Sequence, residues 1–293
     1  CKKHSLGCWL TNVIERNNAW SVLAHANAEL GVGEIARRLY SLLVASGLET
    51  EIIGLNASKS RQGSNALRKV GTDRSFSSVI SCVNPDQLAL VFAQQGLYKS
   101  DIKNHIGYWA WELEDFPVAL NPAFDLVNEV WTFSEYVRVA IQKNTDLRVR
   151  SLPIPIPTPK RKTRFTRHDF GVSDSSFLVV TSFDYFSDKR RKNPEASILA
   201  HMQAFDLNDD STLVIKSINS QHCPEEHQEL KKLAQGRPDV VFMDDYFDSD
   251  KNLALLELAD VVISLHRAEG YGINLADAMA RSTVVMATGY SGN

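Results

Sequence analysis

Near the middle of the chain, Leu152-Pro-Ile-Pro-Ile-Pro-Thr-Pro159 sets four prolines at alternate positions. Proline fixes its own φ and lacks an amide donor, so this stretch forbids helix and favours an extended connector. The basic run Lys160-Arg-Lys-Thr-Arg164 follows. The chain is therefore expected to fold as two bodies joined by a hinge, with a Pro-rich and basic connector over 153–168. A length of 293 residues, 44% hydrophobic and 23% charged, suits two domains of roughly 150 residues each.

The same rhythm runs on both sides of the connector: short apolar runs alternate with segments of helical period. In the first half the strand candidates are 20–25, 51–55, 78–83, 105–111 and 129–133. Residues 33–46 carry apolar side chains at 35, 36, 39, 42 and 43, a helical repeat that Gly47 closes as a C-cap. Further helical segments are expected near 85–95, 118–127 and 134–143. Residues 56–75 read as a loop and 1–18 as a polar tail or linker. In the second half the strand candidates are 176–182, 212–216, 240–243, 261–265 and 283–287. Helices are expected over 193–205, with Pro194 in the first turn, and over 224–235, 250–258 and 273–281. This alternation predicts an α/β fold with parallel sheets covered by helices on both faces, one domain over 19–152 and one over 169–293. Ligands in such sheets bind beyond the carboxyl ends of the strands, so a cleft between two sheets is expected.

Composition excludes several classes. A net charge of −3 argues against a nucleic-acid partner. No apolar run approaches the roughly 20 residues of a membrane span. Four scattered cysteines, at 1, 8, 82 and 223, fit a reducing cytoplasm better than a disulfide scaffold. The chain begins with Cys1, not Met, and stops just after a Gly-Tyr-Ser-Gly turn, so a fragment cut at both ends is expected.

Candidate chemistry concentrates at the end of the chain. The strand 261–265 leads through His266, Arg267 and Ala268 into a polar elbow holding Glu269, Gly270 and Gly272, and a helix starts near Ile273. The free N–H groups and positive dipole end of a helix N-terminus take an anion, and glycine lets backbone approach it closely. The backbone of Tyr271, Gly272, Ile273 and Asn274 is thus a candidate cradle for a diphosphate. Glu269, in the loop, and Asp277, in the second helical turn, are candidate acceptors for hydroxyls. The bland alternative is a plain strand-to-helix turn with a solvated Glu and a helix-surface Asp. Arg191 and Lys192 follow another strand and precede the helix opened by Pro194, where cations would neutralise a leaving diphosphate. Alternatively, Lys189-Arg-Arg-Lys192 is a solvated basic run.

Weaker signals lie in the first half. Glu112 stands at the carboxyl end of a strand, as a polar cleft residue or as a surface Glu beside Glu114 and Asp115. Trp109 and Trp111 suit either a sugar face or the core. Gly31-Val-Gly-Glu-Ile-Ala36 matches a dinucleotide fingerprint, yet Asn56 stands where that motif needs an acidic residue. His25 ends the first strand near this loop. No His-x-x-x-His pair points to a metal.

Glu269-Gly-Tyr-Gly-Ile-Asn-Leu-Ala-Asp277 resembles the Glu-x7-Glu motif of the retaining nucleotide-sugar glycosyltransferases of family four. Glu29-Leu-Gly-Val-Gly-Glu-Ile-Ala-Arg37 is similar to their glycine-rich first loop. Ile106-Gly-Tyr-Trp-Ala-Trp-Glu-Leu-Glu114 and Glu129-Val-Trp-Thr-Phe-Ser134 resemble a branch that builds bacterial surface polysaccharides, as do Ser182-Phe-Asp-Tyr-Phe186, Arg191-Lys-Asn-Pro194 and Ala287-Thr-Gly-Tyr-Ser-Gly-Asn293. The resemblance implies a GT-B fold, two Rossmann-like domains facing a central cleft, with the second domain incomplete here. It implies Glu269 on donor sugar hydroxyls and Asp277 on ribose hydroxyls. Lys192 and Arg191 would lie on the diphosphate, Arg267 in the donor pocket, Glu112 near the reacting centre, and Gly31 and Gly33 in a cleft loop. Two departures stand out: Asp277 is one methylene shorter than the family's Glu, and Phe186 stands where many members have an Arg.

The resemblance further implies a nucleoside-diphosphate sugar donor, a glycan or lipid-linked acceptor, no cofactor and no metal. It also implies a cytoplasmic protein at the inner face of the membrane, in peripheral contact with it. The acceptor would attack from the face the phosphate leaves, its proton passing to the departing phosphate oxygen. Domain closure about the hinge would exclude water. Two rival readings are a non-catalytic sugar-nucleotide or glycan-binding module and a GT-B sugar-nucleotide epimerase.

Overall fold

The structure, a computed structural model, describes residues 19–28, 31–55, 61, 78–157 and 162–293. The expected tail over 1–18, most of the 56–75 loop with Asn56, residues 29 and 30 of the glycine loop, and 158–161 of the connector lie outside the described residues. The chain divides into two compact units, with Pro155 in the first and Ile156 in the second. Leu152 to Pro157 form no regular element.

Unit 1 is a parallel sheet of six strands: β1 (Trp20–Ala24), β2 (Thr50–Gly54), β3 (Ser78–Cys82), β4 (Asn104–Trp109), β5 (Glu129–Thr132) and β6 (Arg148–Ser151), in the order β2-β1-β3-β4-β5-β6. β1 and β3 are buried along their whole length, as strands covered on both faces must be. Helices α1 (Gly31–Ala45), α2 (Pro85–Gln95) and α3 (Glu135–Gln142) connect the strands. Proline opens α2 at its first turn, and Gly96, at φ 60°, closes it with the Leu97 amide on the Phe92 carbonyl. The Ser134 hydroxyl caps α3 by accepting the Val137 amide.

Unit 1 sharpens the sequence expectations at three places. Residues 118–126 are a 3-10 helix, not an α-helix, with Pro122 inside it. Proline cannot donate the amide bond that an α-helical interior needs. β6 was not foreseen, because Arg148-Val-Arg-Ser151 is a short polar edge strand without an apolar run. Trp109 is fully buried between Phe116 and Phe124, so it is core and presents no face to a sugar. Trp111 packs its edge on Phe116 and donates its indole N–H to the Asp115 carbonyl.

Unit 2 is a parallel sheet of β7 (Phe177–Asp184), β8 (Ser211–Ile218), β9 (Val240–Asp244), β10 (Val261–Ser264) and β11 (Val284–Ala287), in the order β11-β10-β7-β8-β9. Helices α4 (Lys189–Lys192), α5 (Pro194–Ala204), α6 (Pro224–Leu233), α7 (Ser249–Leu258) and α8 (Ile273–Ala280) link them. The alternation of strand residues divides the core in two. Leu178, Val180, Val214 and Val262 face one side, with Leu255 and Ala278. Val179, Leu213, Ile215 and Ile263 face the other, with Ile198 and Leu230. The Asp248 carboxylate accepts the Lys251 amide and caps α7.

The chain leaves β7 toward β8 and leaves β10 toward β11, in opposite directions across the sheet. The strand order therefore reverses between β7 and β10, where an open α/β sheet forms a crevice beyond its carboxyl ends. Only Val179 and Val180 of β7 pair with β10, through Val261 and Val262. Beyond them β7 follows β8 out to Asp184, and the two exits splay apart.

Gly33 and Gly31 differ in what they permit. A Cβ at Gly33 would lie 2.5 Å from the Ala28 carbonyl oxygen and 2.8 Å from that of His25, whereas a Cβ at Gly31 meets nothing within 4 Å. Gly33→Ala should destabilise unit 1 by about 1–3 kcal/mol through overpacking. Gly31→Ala should stay within about 0.5 kcal/mol of the parent. Urea unfolding of both variants checks the contrast.

Candidate functional site

The crevice of unit 2 is built by two exits. After β7 the Asp188 carboxylate accepts the amides of Arg190 and Arg191 and starts the single turn of α4. Asn193 then adopts the left-handed conformation, at φ 52°, and ends that turn directly before Pro194 opens α5. Its side-chain amide donates to the Leu265 carbonyl at 2.7 Å, which ties the first exit to the second. The Arg267 amide donates to the Arg191 carbonyl at 2.8 Å, and its guanidinium donates to the Arg190 carbonyl.

This geometry sorts the basic run into two pairs. Lys189 turns to Glu229, at 2.7 Å, and to Glu195, at 3.2 Å. Arg190 is exposed beside Asp188. Arg191 and Lys192 instead reach the second exit. The Lys192 ammonium lies 2.5 Å from the Glu269 carboxylate, and an Arg191 nitrogen lies 3.6 Å from the same oxygen. The Arg191 guanidinium also donates to the Ala268 carbonyl at 3.0 Å. These three side chains keep only 17–20% of their surface exposed, so water screens them less than it does surface charges. Burial alone would raise the pKa of Glu269. The Lys192 ammonium, the hydrogen bond from it and the nearby Arg191 and His266 outweigh that and hold the carboxyl below its usual value.

The elbow beyond Glu269 ends in Gly272, at φ 83°, the N-cap position of α8. Only glycine adopts this conformation without strain. Gly272 brings no side chain to the helix end. The first-turn amides of Ile273 and Asn274 have no acceptor within an α-helix, so this terminus carries unsatisfied donors and the positive end of the dipole. Two cations, a carboxylate and an uncapped helix terminus thus meet at the switch point of one sheet. Such a set can hold an anion against the cations and amides and a hydroxyl against the carboxylate.

The remaining expected residues have definite places. Asp277 is only 1% exposed, with Arg281, the C-cap residue of α8, 3.9 Å away. It is therefore not the helix-surface Asp of the bland reading. Gly270 is buried, and Tyr271, Gly272, Ile273 and Asn274 are half-buried. Arg267 is exposed and braces α4 through the two carbonyls above. Glu112 is half-buried just past β4 in unit 1, and Gly31 and Gly33 open α1 in that unit. His25 is buried after β1, and burial lowers its pKa. Asn193, Ser291 and Asn293 fall in stretches that carry the resemblance, but sequence reasoning gave none of them an individual role. The left-handed backbone of Asn193 and Ser291 leaves no trace in hydrophobic periodicity.

Among the described residues no three His, Cys, Asp or Glu side chains gather as a metal-ligand set, and no helix is long and apolar enough to cross a membrane.

No family model matches the chain, and no curated protein matches it by sequence. Solved structures do. HepE of Anabaena in complex with UDP-glucose superposes with a TM-score of 0.60 at 15% identity, over 92% of this chain and 80% of that one. A UDP-forming trehalose-phosphate synthase of Burkholderia xenovorans gives 0.54 at 13%, over 73% of this chain and 59% of that one. S. aureus TarM, in complex with UDP among other ligands, gives 0.52 at 13%, over 71% of this chain and 40% of that one. The chain therefore spans less than two thirds of the length of two of these three. They are GT-B glycosyltransferases, and the fold of this chain is theirs: α/β, GT-B type.

The ion pair makes a stability prediction. Glu269 has a folded pKa below its ordinary 4.5. Its contribution is therefore fully present above about pH 4.5 and disappears as pH falls through the lower folded value. Glu269→Gln should cost unit 2 about 1–3 kcal/mol at pH 7. That deficit should shrink toward zero as the buffer is taken below pH 4, in urea unfolding of parent and variant side by side.

Proposed function

We propose that the chain binds a nucleoside-diphosphate sugar and passes the sugar, with retention at the anomeric carbon, to a hydroxyl of a glycan or lipid-linked acceptor. The reading places it with family four and with surface-polysaccharide synthesis, in the cytoplasm at the inner face of the membrane. The observation that carries it is the meeting of Lys192, Arg191 and Glu269 at the β7/β10 switch point, beside the uncapped start of α8. Neighbours of the same fold were solved with UDP and UDP-glucose, which makes uridine the first base to test.

The roles follow from charge. Lys192 and Arg191 hold the diphosphate, with the amides of Gly272, Ile273 and Asn274 completing the cradle. Gly270 and Tyr271 shape the elbow, and Arg267 braces the cationic turn. Glu269 accepts donor sugar hydroxyls. As the bond from the anomeric carbon to the phosphate oxygen breaks, negative charge grows on the diphosphate where these donors are already aimed. Preorganised charge of this kind supplies the largest share of many rate enhancements. The acceptor proton passes to the departing phosphate oxygen, so no strong protein base is required. Transfer proceeds without a metal or cofactor, the two cations taking the place of one. Glu112 and the loop of Gly31 and Gly33 keep the acceptor-side roles that the resemblance implies.

One observation favours the rival, a binding module without turnover. Asp277, the residue matched to the ribose carboxylate, is buried at 1% exposure. Turnover separates the two readings.

UDP, GDP and ADP and their sugars should be compared for thermal stabilisation. The matching donor at a hundred times its Kd should add about 2.7 kcal/mol to the stability of unit 2. Lys192→Ala should lower turnover of that donor by about 10²–10³-fold, and EDTA should leave the parent rate unchanged. Stabilisation by no nucleotide would sink the reading, and binding without any sugar release would leave the module.

A further inference from the structure

Ser291 lies in the turn after β11 with φ 78°, a left-handed backbone that a serine adopts only at a cost in strain. Its hydroxyl does two things at once. It accepts the Glu269 amide at 3.0 Å and donates to the Glu269 carbonyl at 2.7 Å. One side chain thus satisfies both backbone groups of the residue whose carboxylate meets Lys192. The neighbouring contacts draw the same two segments together. The Thr288 amide donates to the Ser264 carbonyl at 3.1 Å. His266, 1% exposed, sits between the Ser264 hydroxyl and the Asn293 side-chain oxygen, each at 2.9 Å from a ring nitrogen. The Asn293 amide nitrogen in turn donates to the Thr288 carbonyl at 2.9 Å.

We infer that Ser291 is a positioning residue for Glu269, fixing the peptide groups from which its carboxylate is presented. This rests on the proposed donor-binding reading. An elbow past a strand end has no ladder partner for its peptide groups, and Glu269 would otherwise swing with its own backbone. The Ser291 hydroxyl supplies that partner from another loop. The strained backbone at Ser291 is maintained because it aims the hydroxyl between the two groups. A carboxylate fixed in this way loses little freedom when it engages the sugar, and preorganisation of this kind appears as affinity for the sugar-bearing ligand alone.

The inference separates the hydroxyl from the backbone through two substitutions. Ser291→Gly relieves the left-handed strain and removes the hydroxyl. Ser291→Ala keeps the strain and removes the hydroxyl. Each variant, as the 293-residue chain, is titrated by calorimetry with UDP and with UDP-glucose, then with the other nucleotide pairs if uridine does not bind. Both variants should bind the nucleoside diphosphate as the parent does, and both should lose roughly tenfold in affinity for the nucleotide-sugar, the loss of a hydrogen-bond partner's worth. Ser291→Gly should be at least as heat-stable as Ser291→Ala. A glycine variant that keeps the parent's preference for the sugar-bearing ligand overturns the inference while leaving the donor site standing. A parent that binds no nucleotide overturns the donor-site reading and this inference together.

Discussion

Lys192 and Glu269 stand 77 residues apart in the chain and 2.5 Å apart in space. Much of unit 2 serves that approach. The β-strand order brings the ends of β7 and β10 side by side, and the short pairing of these two strands lets their exits part. Asp188 and Asn193 bend the first exit into one helical turn, so that Arg191 and Lys192 face the second. Asn193, Arg191 and Arg267 then bridge the exits through backbone carbonyls. A buried acid beside a lone ammonium would be a neutral pair. Here a second cation and a helix N-terminus adjoin it, so the local balance is positive and an added anion is welcome.

That arrangement also explains why the site is costly to disturb yet open to ligand. Removing Glu269 leaves two shielded cations without their counter-charge. On the proposed reading, a nucleotide-sugar would exchange the pair for equivalent contacts, a phosphate oxygen on the ammonium and a hydroxyl on the carboxylate. The ion pair thus prearranges the side chains that the proposed ligand needs, and the left-handed residues Ser291 and Asn193 sit where that geometry is fixed.

Much of the fold was legible because parallel strands buried on both faces are short apolar runs. Val261 to Ser264 and Leu213 to Ile215 show it plainly, as does the helical repeat of Ile35, Ala36, Leu39 and Leu43. One element without that signature, the polar edge strand β6, was missed. The helical segment at 118–126 was foreseen, though not its 3-10 winding around Pro122. The site was legible in part. Glycines around a carboxylate marked the elbow at Glu269, and a proline after two cations marked the turn at Lys192. Which of the four basic residues faces inward depends on the left-handed Asn193, and the depth of Asp277 depends on helix packing. Neither has a linear signature.

On the proposed reading the site divides its labour, with Lys192 on the phosphates and Glu269 on the sugar. A double-mutant cycle of Lys192→Met and Glu269→Ala, read as binding of a nucleoside diphosphate and of its sugar conjugate, tests it most directly. Lys192→Met should weaken both ligands, and Glu269→Ala should weaken only the conjugate. Equal losses for both ligands in both variants, or none in either, would contradict it.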